Sequence, residues 1–134
     1  MDILLGPGIN IKRTPVAGRN FEYFSEDPVL SGIMAEEYVR GVQEKHVGAT
    51  VKHYCANNLE YCRHYASSEV DEAVLREIYL KPFELAVKAK PYMVMTSYNL
   101  VNGVRMSENA DLIRVLRKEL GFEGVIVTDW EACK

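Results

Sequence analysis

The stretch Val125-Ile126-Val127-Thr128-Asp129-Trp130 joins a short run of β-branched apolar residues to a carboxylate and an indole. Three more short apolar runs precede it along the chain, at Ile3 to Leu5, Ala49 to Val51 and Met93 to Met95. Apolar residues that follow one another without alternation are typical of parallel strands that are buried on both faces. The four runs therefore predict four buried parallel strands.

Three stretches with helical periodicity separate these runs, and each is long enough to connect two parallel strands. The first is predicted from about Pro28 to Lys45, with Asp27 as its cap. Its inward stripe is predicted to carry Ile33, Met34, Tyr38 and Val42. The chain thus alternates strand and helix from the start.

The other two helices have recognisable ends. The second is predicted to start near Ser68 or Asp71, and Pro82 must kink it or begin a new helix. The third is predicted to be capped by Ser107 or Asn109 and to stop at Gly121. Their apolar residues are Val74, Leu75, Ile78 and Tyr79 in the second helix and Leu112, Ile113, Leu116 and Leu120 in the third.

Strands that alternate with helices at this spacing indicate an α/β fold with a parallel βαβαβαβ arrangement. Such a sheet is either open and doubly wound or a piece of a (β/α) barrel, and spacing alone does not choose between them. The first strand is not followed by GxGxxG, and no GxxxxGK[ST] motif is present, which disfavours the two common nucleotide-binding versions. A length of 134 residues fits one domain.

Composition excludes several classes of partner. A net charge of -3, with basic and acidic residues spread along the chain, gives no patch for nucleic acid or an anionic membrane. No run approaches the roughly 20 apolar residues that span a bilayer, and the first residues lack a basic signal-peptide region, so a cytoplasmic location is expected. Three cysteines without a close CxxC pair argue against disulfides and zinc. We expect neither a metal nor a cofactor.

Polar side chains follow each predicted strand, where ligands bind in parallel α/β sheets. The loop after the first strand contains Arg13, Arg19 and Glu22. The later strands are followed by Lys52-His53, by Ser97-Tyr98-Asn99 and by Asp129-Trp130. Because these strand ends meet at one edge of the sheet, the sequence predicts a site for a polyhydroxylated ligand there.

Each of these residues also has a structural explanation. Asp129 could cap a turn, Arg19 could form a loop-to-loop salt bridge, and Tyr98 and Trp130 could pack at the rim. Lys52 and His53 could be a solvated pair, because side chains alternate along an ordinary strand and would not both face one ligand. Their joint use requires a sharp twist or strain, such as a cis peptide bond.

Six motifs, in this order, resemble the N-terminal barrel domain of glycoside hydrolase family 3, in particular its bacterial β-glucosidases. They are Leu5-Gly6-Pro7-Gly8-Ile9-Asn10-Ile11, the stretch Gly18-Arg19-Asn20-Phe21-Glu22-Tyr23-Phe24-Ser25-Glu26-Asp27-Pro28, Val51-Lys52-His53-Tyr54, Leu75-Arg76-Glu77-Ile78-Tyr79-Leu80, Met95-Thr96-Ser97-Tyr98-Asn99 and Val127-Thr128-Asp129-Trp130. The resemblance covers nearly the whole chain and implies an incomplete segment of a TIM-type (β/α) barrel.

The resemblance also implies roles for single residues. Asp129 matches the nucleophile of a retaining β-glycosidase, and Trp130 lies beside the sugar. Arg19, Lys52 and His53 match groups that bind the hydroxyls of a terminal nonreducing β-glucosyl residue, and Tyr98 sits near the nucleophile. The expected substrates are β-glucosides or oligosaccharides, with β-xylosides as an alternative. The chain departs from the family pattern at Glu60-Tyr61-Cys62-Arg63, where the family usually reads Glu-Thr-Asn-Arg. This departure is expected to affect only loop detail.

The family's second α/β domain, which supplies the general acid/base, has no counterpart in residues 1–134, nor do the remaining barrel strands. We therefore expect a single partial barrel domain with little activity alone. Its open edges could mediate self-association. Two other readings stay open: a non-catalytic sugar-binding or scaffold protein, and, more remotely, an unrelated α/β phosphate binder.

Overall fold

The computed structural model describes residues 2–133, in which strands and helices alternate as predicted. The elements are β1 (Ile3–Leu4), α1 (Pro28–Gln43), β2 (Gly48–Tyr54), β3 (Ser67–Ser68), α2 (Glu72–Val74), α3 (Lys81–Val87), β4 (Met93–Thr96), β5 (Leu100–Val101), β6 (Val104–Arg105), α4 (Ala110–Arg114) and β7 (Val125–Thr128). α2 and α4 each continue into a wider π-helical segment, Leu75–Tyr79 and Val115–Glu119. Short 3-10 turns occupy Asn20–Glu22 and Met106–Glu108.

The four predicted strands form one parallel sheet in the order β1-β2-β4-β7. Met95 pairs with Lys52 on one side and with Val127 on the other, so the three later strands end at nearly the same level. A second, small sheet of β3, β5 and β6 follows the carboxyl ends of β2 and β4. The predicted α/β class and parallel arrangement are confirmed.

The prediction that all four strands are buried is wrong for β1. Ile3 and Leu4 are 39% and 41% exposed, whereas Ala49 and Val51 of β2 are fully buried. Within residues 2–133, β1 pairs only with β2, so one side of this edge strand faces solvent. β7 is the other edge, and its Val125 is also exposed.

The inward stripe predicted for α1 is wrong as well. Ile33, Met34 and Tyr38 are exposed, and only Val42 of the predicted stripe packs against the core. The buried residues of α1 are Ser31, Gly32, Ala35 and Val39. α1 lies so close to α3 that a Cβ on Gly32 would come within 2.6 Å of Leu85 Cδ1, which leaves room only for small side chains.

The predicted helix starts are confirmed. Asp27 accepts hydrogen bonds from the backbone N–H groups of Val29 and Leu30, which satisfies two otherwise unpaired donors of α1. Asp71 caps α2 and Asn109 caps α4 in the same way.

The later helix predictions hold in most respects. α3 begins at Lys81, so Pro82 sits in its first turn and starts a new helix. The left-handed backbone of Gly121, with φ of +74°, follows the π-helical segment after α4. Val74 is an exception, because it is exposed and does not face inward.

The core lies between the sheet and the helices. Tyr54, at the end of β2, is fully buried; its ring meets Phe83 edge-on at 5.0 Å, and its hydroxyl donates to the Leu112 carbonyl at 2.8 Å. A buried phenol needs such a partner. Tyr54 thereby ties β2 to both α3 and α4.

α1 and the edge strand β1 both carry exposed apolar side chains, which the expectation of self-association requires. Self-association itself stays a prediction. In the part of the chain that the structure describes, no helix has both the length and the apolarity to cross a bilayer.

The close approach of α1 and α3 yields a stability prediction. Gly32→Ala should lower the free energy of unfolding by up to about 2 kcal/mol, because the overpacking cost of about 1–3 kcal/mol is offset only in part by a gain in helix propensity of about 1 kcal/mol. Gly41→Ala is the matched control: it lies in the same helix with no atom within 4 Å of the added Cβ, and should stabilise. Urea unfolding measures both. Equal stabilisation by both substitutions would contradict the tight contact.

Candidate active site

A cavity of about 280 Å³ opens at the carboxyl ends of the parallel strands. The six residues to which the family resemblance gives roles all line this cavity: Arg19, Lys52, His53, Tyr98, Asp129 and Trp130. Its full lining is Leu5, Arg19, Lys52, His53, Arg63, Met95, Tyr98, Asp129 and Trp130. A larger cavity of about 510 Å³ lies at the opposite end of the sheet, where Tyr92 and Val125 precede or begin their strands, and it contains none of the six.

Lys52 and His53 are adjacent in β2 and yet both line the cavity. The peptide bond between them is cis, and the register of β2 on β4 shifts between Lys52 and Tyr54. Such a departure from ordinary strand geometry was the predicted condition for the two side chains to act together. The structure contains it.

The backbone of His53 is anchored by the side chain of Asn10. Asn10 Nδ2 donates to the His53 carbonyl, and the His53 N–H donates to Asn10 Oδ1, both at 2.9 Å. The preceding segment also pairs with β2, since Ile9 N donates to the Lys52 carbonyl at 2.7 Å. The long connection after β1 therefore begins as an extension of the sheet.

The carboxylate of Asp129 is surrounded by groups that hold it in place. Its backbone N–H donates to Thr96 O at 3.2 Å, and its Oδ1 accepts a hydrogen bond from Trp130 N at 2.8 Å. Its Oδ2 lies 3.5 Å from His53 Nε2. The bond from Trp130 is the turn-capping contact that the sequence also allowed, and Oδ2 remains directed at the cavity residues.

Glu22 forms salt bridges with two cationic residues of the cavity, Arg19 and Lys52. It forms a salt bridge with Arg19 Nε, and its Oε2 lies 3.3 Å from Lys52 Nζ. Burial raises the pKa of Glu22, but the hydrogen bond from Arg19 and the charge of Lys52 outweigh it, so that the pKa lies below its ordinary value. Arg19 therefore lines the cavity and pairs with Glu22 within its own loop. The loop-to-loop salt bridge that was its structural alternative is the one with Glu60, at 3.9 Å.

His53 is neutral in the folded protein. Burial is the largest cause that lowers its pKa, followed by the charges of Arg19, Lys52 and Arg63, and the result is a pKa of about 2. The nearby Asp129 carboxylate acts in the opposite direction but does not compensate for these effects. His53 therefore faces Asp129 as an uncharged imidazole.

Tyr98 connects the nucleophile candidate to the loop after β2. Burial, the charge of Asp129 and a hydrogen bond to Asp129 together raise the pKa of Tyr98. The guanidinium of Arg63 lies 4.2 Å from the centre of the Tyr98 ring, and the His64 ring lies 4.5 Å from it. A cation over an aromatic face is attracted by the ring quadrupole.

Arg63 was predicted to affect only loop detail, and the apolar wall formed by Leu5 and Met95 was not predicted. Arg63 forms a salt bridge with Glu60, whose other oxygen lies 3.9 Å from Arg19. The three-residue spacing of Glu60 and Arg63, in a polar loop just after a strand with site residues, is the signal that could have found them. Glu22 stood among the strand-end residues but was given no role.

Within residues 2–133, no cluster of three His, Cys, Asp or Glu side chains is arranged to hold a metal ion. The three cysteines are free thiols. Burial raises the pKa of the Cys55 thiol to about 12, so this group is not a nucleophile at neutral pH.

A sequence profile described as the glycosyl hydrolase family 3 N terminal domain matches residues 1–134. Among characterised proteins, the chain is 51% identical over 130 residues to beta-glucosidase B of Emericella nidulans. It is 53% identical over 134 residues to thermostable beta-glucosidase B of Acetivibrio thermocellus. These alignments cover 96% and 98% of the chain but only 15% and 18% of the two relatives.

Solved structures give the same result. Beta-glucosidase 3B from Thermotoga neapolitana, in complex with glucose, is 55% identical with a TM-score of 0.94, and the match covers 96% of this chain and 18% of that one. A GH3 beta-glucosidase from Bifidobacterium adolescentis is 49% identical with a TM-score of 0.96, and the match covers 98% of this chain and 20% of that one. The sheet is thus a segment of a TIM-type barrel, and the chain belongs to glycosyl hydrolase family 3, in the region of that family's N-terminal domain.

Proposed function

We propose that this chain contributes the nucleophile and part of the sugar-binding site of a retaining β-glucosidase. The observation that carries the proposal is the convergence of Asp129, His53, Lys52 and Arg19 on one cavity at the carboxyl ends of the barrel strands. The names of its relatives, which are beta-glucosidases, support the reaction type.

In the proposed reaction, Asp129 attacks the anomeric carbon, and a bond from its carboxylate oxygen to that carbon replaces the bond to the departing alcohol. Water then hydrolyses the glycosyl ester and restores the carboxylate. The Trp130 N–H and the Tyr98 hydroxyl hold Asp129 in place without neutralising it. The carboxylate is therefore positioned before the sugar arrives, which lowers the cost of orienting it.

The rest of the cavity suits a single sugar ring. Its volume of about 280 Å³ lies near the small end of the range for small-molecule sites. Of the residues that line it, Arg19, Lys52 and Arg63 are donors only, His53 offers an N–H, and Asp129 is an acceptor. Trp130 is 75% exposed and stands at the rim, where an indole face can cover the apolar side of a sugar. Glucose is the proposed sugar; a xyloside lacks only the hydroxymethyl group and is the alternative.

The proton donor for the leaving group is proposed to come from outside residues 2–133. Of the carboxyls around the cavity, Glu22 is paired with Arg19 and Lys52, and Glu60 with Arg63. The lowered pKa of Glu22 leaves it without a proton at neutral pH. A retaining enzyme needs a protonated carboxyl about 5 Å from the nucleophile, and neither residue meets that requirement.

The first prediction concerns the nucleophile. A 2-deoxy-2-fluoro-β-glucoside with a dinitrophenolate leaving group needs no acid, so it should form a stable ester with Asp129 that peptide mass spectrometry locates. Asp129→Asn should remove the label. Asp111→Asn, at an exposed carboxylate in α4 paired with Arg114, should be labelled like the parent chain. Labelling at another residue, or none on the folded chain, would favour a non-catalytic sugar-binding protein.

The second prediction concerns the missing acid. Cellobiose hydrolysis by the 134-residue chain should be slower than in full-length relatives by at least the roughly 10²–10⁴-fold that a general acid contributes. Dinitrophenyl glucoside should still release dinitrophenolate in a burst that depends on Asp129. Glucose release from cellobiose and dinitrophenolate release from the dinitrophenyl glucoside are measured in parallel. Rapid cellobiose hydrolysis that disappears in Asp129→Asn would show that the acid lies within the chain.

The third prediction follows from the neutral state of His53. Its folded pKa of about 2 lies below its unfolded pKa of about 6.5, so the unfolded chain binds the extra proton first as the pH falls. As the pH falls below 6.5, the buried imidazole should therefore lower the free energy of unfolding by about 1.4 kcal/mol per pH unit, and it should have no effect above pH 7.5. Urea unfolding of the parent chain and His53→Gln at several pH values isolates this slope. Parallel pH profiles for the two proteins would mean that His53 becomes charged without unfolding.

A further inference from the structure

Tyr23 is a buried phenol that the proposed reaction does not use. It is 4% exposed, and its hydroxyl lies 3.3 Å from Nδ1 of His53, on the side of the imidazole away from Asp129. Burial raises its pKa, so the hydroxyl keeps its proton. A Cβ at Gly8 would lie 3.0 Å from the Tyr23 ring, so glycine there leaves room for the ring behind β2.

A neutral imidazole carries one proton, and its surroundings decide which nitrogen holds it. With the proton on Nε2, the ring presents an N–H to the Asp129 carboxylate, and Nδ1 is free to accept from Tyr23. With the proton on Nδ1, the ring donates to Asn10 Oδ1, 3.3 Å away, or to the Tyr23 oxygen. The lone pair of Nε2 then points at the Asp129 oxygen 3.5 Å away.

The two arrangements differ in how well the groups around the ring are satisfied. Asn10 Oδ1 already accepts the backbone N–H of His53 at 2.9 Å and does not need a second donor. The Tyr23 hydroxyl has another acceptor in the Asn57 carbonyl, but that contact is longer, at 3.5 Å. Facing lone pairs occur in both arrangements, between Nδ1 and Asn10 Oδ1 in the first and between Nε2 and the Asp129 oxygen in the second. The repulsion is stronger against the charged carboxylate than against the neutral amide oxygen, and an N–H that faces the carboxylate is attracted to it. The contacts favour the proton on Nε2.

We propose that Tyr23 is a positioning residue that donates its hydroxyl proton to His53 Nδ1 and thereby directs the His53 Nε2–H toward Asp129 and the sugar. The inference rests on the proposed function, in which this N–H binds a sugar hydroxyl beside the nucleophile. Tyr23 is not itself part of the cavity lining and contacts the lining residue His53. It acts through the imidazole.

The test is the substitution Tyr23→Phe, which removes one oxygen and keeps the ring. Long-range ¹H–¹⁵N spectra of the imidazole should show a protonated Nε2 and an unprotonated Nδ1 in the parent chain. Tyr23→Phe should move proton population to Nδ1, and should slow fluoroglucosyl labelling of Asp129 by about tenfold, the equivalent of one hydrogen bond. Tyr92→Phe is the matched control, because Tyr92 lies at the opposite end of the sheet and should change neither readout.

Several outcomes would overturn the proposal. They are a protonated Nδ1 in the parent chain, an unchanged tautomer in Tyr23→Phe, or a changed tautomer with unchanged labelling. Circular dichroism and urea unfolding of the variant verify that it is folded. The spectra do not depend on catalysis. A parent chain that is never labelled would contradict the proposed function, and its spectra would still show whether Tyr23 sets the tautomer of His53.

Discussion

The parallel pairing of β2, β4 and β7 is the constraint on which the site depends. Met95 is paired with Lys52 on one side and with Val127 on the other, and Thr96 is paired with Thr128. The residues that follow these strands are therefore delivered to one level, and Asp129 continues the ladder by donating to Thr96 O. A slip of one residue would turn every side chain of a strand to the opposite face and separate Asp129 from His53.

The features that the sequence could predict are those with local causes. The four strands and the caps at Asp27, Asp71 and Asn109 depend on neighbouring residues, and their positions were predicted within a few residues. The buried face of α1 depends on how closely another helix packs against it, and the periodicity of the sequence does not show that distance. Large apolar residues looked like the inner stripe, but the contact between Gly32 and Leu85 selects small ones.

The same distinction applies to the site. The residue types at the strand ends and the family resemblance together predicted six site residues, and the structure brings their side chains to one cavity. The contacts behind them could not be read from the chain: Asn10 meets His53 across 43 positions, and Tyr23 meets it across 30. The contact of Arg63 with the cavity was not predicted, because Arg63 belongs to a loop without periodicity and reaches the cavity over the Tyr98 ring.

The distribution of charge around the cavity fits the proposed reaction. Arg19 and Lys52 share Glu22, and Arg63 pairs with Glu60, while the groups in contact with Asp129 are neutral: the backbone N–H of Trp130, Tyr98 and the uncharged His53. A carboxylate that forms a glycosyl ester loses its charge. A direct salt bridge at 4 Å is worth about 4 kcal/mol at an effective dielectric constant of 20, and that attraction would be lost on the way to the ester and added to the barrier. Neutral donors orient Asp129 at a much smaller cost. In the proposed site, Arg19, Lys52 and Arg63 are left to bind sugar hydroxyls, since they line the cavity and their charges are directed at Glu22 and Glu60.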